Sequence, residues 1–118
     1  MIIVYGIPNC DTVKKARTWL ADQGLPFEFH DFKKQGVPVE RLARWADVVG
    51  WDTLVNRKGT TWRKLDAAAQ SAVTDSASAQ ALMLDHASVI KRPVVEWAPG
   101  GDVTVGFDAQ TWAARLGL

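Results

Sequence analysis

The spacing of hydrophobic residues predicts a strand, a helix and a second strand in the first third of the chain. Residues 2–5 are a β-branched and aromatic run typical of a buried strand, and the Gly and Pro residues within 6–9 end it. Hydrophobic residues then recur at helical spacing to about Gln23, where Gly24 closes the helix. Alternation over 26–32 predicts the second strand. A crossover of about twenty residues is long enough for the two strands to be parallel, with a right-handed connection.

The middle third of the chain is predicted to be helical. After a polar loop at 33–38, Pro38 suits the first turn of a helix that ends at Gly50. Asp52 is a candidate cap for a short turn that reaches Val55. The helix that ends at Gly50 has an apolar stripe of Leu42, Trp45, Ala46 and Val49. Two more helices are predicted at 62–69 and 76–85.

The pattern returns to strands near the end of the chain. Residues 94–97 and 103–105 flank a Pro-Gly-Gly turn and predict a hairpin, and Asp108 suits the N-cap of a last helix. The order β-α-β, helices, β-β-α predicts an α/β fold with a four-stranded mixed sheet flanked by helices. We expect one domain over 1–118, with a helical insertion at 38–88 between its two halves.

Composition and charge narrow the possible functions. A chain of 118 residues, 47% of them hydrophobic, suits one domain with a modest core. Fourteen basic and thirteen acidic residues give a formal net charge of +1, so we expect no direct nucleic-acid binding and no membrane binding. The start of the chain lacks the features of a signal peptide, and a single cysteine cannot form an internal disulfide. Both observations favour the reducing cytoplasm.

Cys10, the only cysteine, is the candidate catalytic residue. It lies where the first helix is predicted to start, and the amide groups of a helix N-terminus stabilise a thiolate. Lys14 and Arg17 add positive potential, and the Thr12 hydroxyl is a candidate donor to the sulfur. Asp11 opposes ionisation unless its carboxylate turns away. A small buried cysteine without reactivity is the alternative.

No second thiol accompanies Cys10 at the spacing of a C-x-x-C pair, because the third residue after it is Val13. A disulfide formed at Cys10 therefore has to be resolved by an external thiol, most simply glutathione or a glutaredoxin. His30 and His86 have no metal-ligand spacing with Cys10, so we expect no metal site. Asn9, beside the cysteine, either shapes the turn or contacts substrate.

Two groups of cations are candidates for binding an anion. Arg92 precedes Pro93 at the start of a predicted strand, and its alternative is an ordinary surface charge. The second group either binds an anion or forms one solvated face, and it consists of Arg57, Lys58, Arg63 and Lys64.

The chain resembles the arsenate reductase (ArsC) family, with its Spx and YffB branches, over essentially its whole length. The resemblance is carried by YGIPNCDTVKKARTWL around Cys10, LVNRKGTTWRKL at 54–65, IKRPVVEW at 90–97 and VGFD at 105–108. The second and fourth strings are most similar to the YffB branch. The resemblance implies a thioredoxin-like fold in which a cysteine attacks the substrate and glutathione resolves the product, with three arginines holding the oxyanion of arsenate.

The resemblance also implies roles for individual residues. Cys10 matches the nucleophile, Arg92 matches one arginine, and Pro93 resembles the cis proline beside the catalytic cysteine of thioredoxin-like folds. Asn56 stands where a second arginine aligns, with Arg57 one residue later.

Two other positions depart from the family pattern. Val105 and Gly106 stand where the third arginine belongs, and Gly6 replaces a histidine that precedes the family's cysteine. A tetrahedral dianion needs several fixed donors, whereas a glutathione carboxylate needs only one or two cations. The departures therefore favour a thiol substrate over arsenate.

We therefore expect a glutathione-dependent thiol oxidoreductase with no bound cofactor, in which glutathione is the co-substrate and glutathione or a glutaredoxin is the partner. One alternative is an arsenate reductase that uses glutathione or glutaredoxin. Another is an Spx-like regulatory module that contacts RNA polymerase without turnover, although Val13 removes the C-x-x-C switch typical of that branch. The expected substrate- or glutathione-binding residues are Asn9, Thr12, Lys14, Arg57, Arg92 and Pro93.

Overall fold

Four strands form one mixed sheet in the order β2-β1-β3-β4, in a computed structural model that describes all of residues 1–118. The parallel pair is β1 (Ile2–Gly6) and β2 (Phe27–Asp31). The hairpin of β3 (Val94–Glu96) and β4 (Val103–Val105) is antiparallel, and β3 also pairs with β1 in antiparallel register. The predicted β-α-β opening, the terminal hairpin and the mixed four-stranded sheet are confirmed.

The chain divides into two compact units. The first consists of Met1–Asp31 and Arg92–Leu118 and contains the whole sheet, and the second is the continuous segment Phe32–Lys91. The helices in chain order are α1 (Asp11–Asp22), α2 (Phe32–Gln35), α3 (Val39–Val49), α4 (Trp51–Leu54), α5 (Thr60–Lys64), α6 (Ala67–Ser71), α7 (Ser76–Asp85) and α8 (Ala109–Leu116), with a 3-10 turn at Ala87–Val89.

The core of the first unit lies between the sheet and the helices α1 and α8. Trp112 of α8 is 2% exposed and meets the rings of Trp97 and Phe107 edge-on, each with a centroid separation of 4.8 Å. Trp19 of α1 joins this aromatic cluster at 5.8 Å from Trp112. The aliphatic part of the same core is Val4, Ala16, Leu20 and Val95.

The first helix has the extent that the sequence predicts, and the last helix begins where the sequence predicts. Val13, Ala16 and Leu20 are the buried stripe of α1. The carboxylate of Asp108 accepts a hydrogen bond from the Thr111 amide at 2.9 Å, which confirms Asp108 as the N-cap of α8. The first helix therefore buries the hydrophobic face that its spacing indicated, and Trp112 is the buried residue of α8.

The second unit corrects three sequence predictions. Phe32, predicted as the end of a strand before a polar loop, instead begins α2, and its buried ring packs 6.2 Å from that of Trp45. The predicted helix at 62–69 is two short helices, because Asp66 adopts an extended conformation and its carboxylate caps α6 through the Ala69 amide at 2.7 Å. Asp52 is not a cap, since Gly50 precedes α4 and Asp52 lies inside that helix.

The remaining helices of the second unit agree with the sequence. The predicted helix that ends at Gly50 is α3, with Leu42, Trp45 and Ala46 buried, and Pro38 is its N-cap, one residue before the first helical position. The helix predicted at 76–85 is α7, which the side chain of Asp75 caps. No helix in the molecule is both long enough and apolar enough to cross a membrane.

Candidate active site

The turn after β1 places Cys10 at the start of α1. Cys10 is the N-cap residue, with the extended backbone expected there (φ −87°, ψ 125°), and its carbonyl accepts a hydrogen bond from the Lys14 amide at 2.9 Å. The Cys10 amide donates to the carbonyl of Ile7 at 3.2 Å, which closes the turn through Pro8 and Asn9. The side chain is half-buried. This is the position in which a helix N-terminus acts on a sulfur atom.

The surroundings of Cys10 lower the pKa of its thiol. Burial alone raises that pKa, but hydrogen bonding from the Val13 amide, the hydrogen bond and charge of the Arg92 side chain, and the Thr12 amide together outweigh it. Thr12 contributes through its backbone N–H, and the role of its hydroxyl stays a prediction.

Arg92 reaches Cys10 from the other end of the first unit. It immediately precedes Pro93 and β3, and the Arg92–Pro93 peptide bond is cis, as the family resemblance implies. Pro93 is fully buried, and its carbonyl accepts a hydrogen bond from the Gly106 amide at 2.9 Å. The structure therefore brings the Arg92 side chain and the Thr12 amide to Cys10, and Pro93 directly follows Arg92 in the chain.

Gly106 explains why an arginine is disfavoured where the family carries its third one. Its φ of 82° lies in the left-handed region, where a side chain is strained and glycine is favoured. The preceding residue, Val105, is paired with Val94 in the hairpin. Next to Pro93 the chain therefore offers backbone and aliphatic groups rather than a cation.

Gly6 stands at the position of the family's histidine, and packing explains why it has no side chain. A Cβ atom at Gly6 would lie 2.8 Å from Cγ2 of Val13, which is fully buried in the first turn of α1. Val13 thus occupies the space that a larger residue at position 6 would need.

We expect Gly6→Ala to lower the free energy of unfolding by about 1–3 kcal/mol, because the added methyl group overpacks against Val13. Chemical denaturation measures this change. In a Val13→Ala background, which removes the obstructing methyl groups, the same substitution should cost distinctly less. An equal cost in both backgrounds would show that the Val13 contact is not the cause.

The other predicted binding residues lie at different places. Asn9 is exposed in the turn before Cys10, and Lys14 is exposed one helical turn after it. Arg57 belongs to the second unit, where its guanidinium lies 5.7 Å from the ring centroids of both Trp51 and Trp62. Stacking of this kind orients a guanidinium. The binding roles of these three residues remain predictions.

The sequence analysis missed a buried polar pair on the sheet. The Tyr5 hydroxyl donates to the carboxylate of Glu96 at 2.8 Å, and both residues are only 2% exposed. The His30 ring lies 5.0 Å from that of Tyr5. An acidic residue within an otherwise apolar strand was the available signal, but it does not reveal its partner. No group of three or more His, Cys, Asp or Glu residues is arranged to hold a metal ion.

The ArsC family profile matches residues 5–115, which is nearly the whole chain. The protein belongs to the ArsC family. Its fold is the thioredoxin-like fold of ArsC proteins: a solved structure named YFFB (PA3664) protein is 48% identical, covers 98% of this chain and 99% of its own, and superposes with a TM-score of 0.91.

Two curated relatives complete the comparison. An uncharacterized protein of Haemophilus influenzae is 39% identical to this ArsC-family chain over 116 residues, covering 98% of this chain and 99% of its own. The global transcriptional regulator Spx of Bacillus subtilis is 21% identical over 97 residues, covering 80% of this chain and 72% of its own. The predicted ArsC, Spx and YffB grouping is confirmed.

Proposed function

We propose that this ArsC-family protein is a glutathione-dependent thiol reductase with Cys10 as its nucleophile. The observation that carries the proposal is the environment of Cys10. The first-turn amides of α1 and the Arg92 side chain act on its sulfur and lower the pKa of the thiol. A thiolate is the reactive form in thiol-disulfide exchange, and a lower pKa increases its population near neutral pH. A free thiol of this kind also suits the reducing cytoplasm.

The proposed reaction is a series of thiol-disulfide exchanges. The Cys10 thiolate attacks one sulfur of a substrate disulfide, so that a Cys10–substrate disulfide forms and the other half of the substrate leaves as a thiolate. Glutathione thiolate then attacks the Cys10 sulfur and releases the second substrate thiol. A second glutathione thiolate attacks the glutathione sulfur of the resulting Cys10–glutathione disulfide, which regenerates the Cys10 thiolate and forms oxidised glutathione. Two glutathione molecules are oxidised and one substrate disulfide is reduced, so the electrons balance.

External resolution follows from the first turn of α1. The residue at the position of a resolving cysteine is Val13, which is fully buried, and the chain has no other cysteine. Glutathione or a glutaredoxin therefore supplies the second thiol in our proposal. Arg92 stabilises the thiolate, and the buried Pro93 follows it in the chain. The residues proposed to contact glutathione or substrate are Asn9, Thr12, Lys14 and Arg57.

Arsenate reduction is a second candidate because the chain belongs to the ArsC family. The positive charge of Arg92 beside the sulfur favours the binding of an oxyanion. However, Gly106 and Asn56 replace two of the three arginines that the family resemblance implies. Several charge-assisted donors are needed to hold a tetrahedral dianion. A regulatory role like that of the Spx relative, with RNA polymerase as the partner, is the third candidate and requires no turnover.

The pH dependence of Cys10 alkylation tests the proposal. We expect the rate with iodoacetamide to reach half its maximum at a lower pH than it does for an ordinary cysteine, whose pKa is about 8.5. Millimolar oxidised glutathione should add one glutathione to the protein and block alkylation, and reduced glutathione should then restore the thiol. Cys10→Ser is the control for both reactions.

Three results would separate the candidates. An ordinary midpoint and no glutathionylation would overturn the reductase proposal and favour a binding module. Turnover of arsenate with glutathione, at rates above those with disulfides, would favour arsenate reduction. A reactive Cys10 with catalytic disulfide reduction would support the proposal as stated.

A further inference from the structure

A groove begins one helical turn after Cys10 and runs along α1. It has a volume of about 350 Å³ and lies between the helix and the start of β2. Pockets that hold small molecules have volumes of roughly 300–1,000 Å³. Its lining residues are Lys14, Arg17, Thr18, Ala21 and Phe27, so it contains two cations and no acidic side chain.

Helix geometry aligns this groove with Cys10. With 3.6 residues per turn, Lys14, Arg17 and Ala21 all lie within about 40° of Cys10 around the helix axis. The rise of 1.5 Å per residue places them about 6, 10 and 16 Å from Cys10 along that axis. A chain bound at Cys10 can therefore continue in a straight line past both cations.

Arg17 is held in place within the groove. Its guanidinium lies 4.0 Å from the centroid of the Phe29 ring on β2, and the side chain is half-buried. This cation–π contact restricts the guanidinium. Lys14, in contrast, is exposed and free to follow a carboxylate. Together they offer one fixed positive charge and one adaptable one.

We infer that this groove, which we call the α1–β2 groove, binds an acidic peptide segment next to the disulfide that Cys10 attacks, so that the preferred substrate is a protein disulfide. The inference rests on the proposed reductase function. Charge complementarity selects the occupant, because acidic residues on the substrate would face Lys14 and Arg17.

The length of the groove distinguishes a peptide from glutathione. An extended chain advances at most about 3.3–3.6 Å per residue, so reaching Ala21 and Phe27 requires about five residues beyond the substrate cysteine. Glutathione has only one residue on each side of its cysteine and cannot fill the far end. An acidic residue two or three positions from the cysteine would meet Arg17, and an apolar residue farther on would contact Phe27.

The test uses the full-length reduced protein and two synthetic nine-residue peptides. Each peptide carries one cysteine as a mixed disulfide with 2-nitro-5-thiobenzoate, with three Glu residues after the cysteine in one peptide and three Lys residues in the other. Attack by Cys10 transfers the peptide to the protein and releases the coloured thiolate, so absorbance gives the rate. We expect the Glu peptide to react about threefold or more faster at low salt, and the ratio to fall toward one at high salt.

Two variants locate the effect. Arg17→Gln should remove most of the preference for the Glu peptide. Lys15→Gln removes the same charge from the same helix, but Lys15 lines the neighbouring groove beside Phe107 and should leave the preference intact. Thermal unfolding followed by circular dichroism confirms that both variants are folded.

A glutathione compound and the two peptides test the reductase proposal and the groove inference separately. The mixed disulfide of glutathione with the same chromophore reports the reactivity of Cys10 without a peptide. If that compound reacts rapidly while the two peptides react equally, the groove inference is wrong and the reductase proposal stands. If Arg17→Gln and Lys15→Gln reduce the preference for the Glu peptide equally, the groove inference is also wrong. Such a result would show that only the net positive charge of the helix attracts the peptide. If no compound reacts with Cys10 faster than with an ordinary thiol, the reductase proposal itself fails.

Discussion

Replacing Arg92 with glutamine is expected to slow alkylation of Cys10 at pH 6 by roughly tenfold and to leave the rate at pH 10 unchanged. Burial raises the pKa of the Cys10 thiol, and the hydrogen bond and charge of Arg92 are among the groups that outweigh it. In Arg92→Gln the burial remains while this contribution is lost, so the pKa rises and less thiolate is present at low pH. Above the new pKa the thiol is fully ionised, so the two rates converge.

Two control variants separate the charge of Arg92 from its shape. Arg92→Lys keeps the positive charge but loses the planar guanidinium, so its alkylation profile should lie between those of the wild type and Arg92→Gln. Lys91→Gln removes a charge one position earlier and should leave the profile unchanged. If all three variants keep the wild-type profile, Arg92 does not stabilise the thiolate.

Replacing Trp112 with alanine is expected to produce the largest loss of stability, about 3–5 kcal/mol. Trp112 is 2% exposed and lies at the centre of the aromatic cluster, with edge-on contacts to Trp19, Trp97 and Phe107. Its removal leaves a cavity and breaks all three ring contacts. For a domain of this size the melting temperature should fall by roughly 10–20 °C.

Calorimetry or circular dichroism measures this change, and two other variants calibrate it. Trp112→Phe keeps an aromatic ring in the cavity and should cost less than Trp112→Ala. Leu118→Ala removes a side chain that is 64% exposed and should change the free energy of unfolding by less than about 0.5 kcal/mol. A loss for Trp112→Ala as small as that for Leu118→Ala would mean that the cluster does not support the first unit.

Local patterns predicted the first unit well because its elements have clean periodicities. The run that became β1 is β-branched, and the stripe of Val13, Ala16 and Leu20 has helical spacing. Asp108 was identified as a cap because its carboxylate acts only three residues away. Such interactions join residues that are close together in the sequence, so they can be recognised from the sequence itself.

Features that depend on distant residues were harder to predict. The burial of Phe32 against Trp45 turned a predicted strand end into a helix, which is a tertiary contact overriding local preference. The alanine-rich stretch concealed the break at Asp66, because helix propensity there outweighed the signal of a capping residue. The approach of Arg92 to Cys10 was expected only from family resemblance, since no local pattern joins two ends of a chain.

The division of the chain has a consequence for synthesis on the ribosome. The second unit is the continuous segment Phe32–Lys91, so all of its residues are available while the last part of the chain is still being made. The sheet is different, because β1 pairs with β3, which is one of the last elements to be translated. Pairings between residues so far apart form slowly. The nucleophile at Cys10 is therefore among the first residues synthesised, yet it acquires Arg92 only when the final quarter of the chain has emerged.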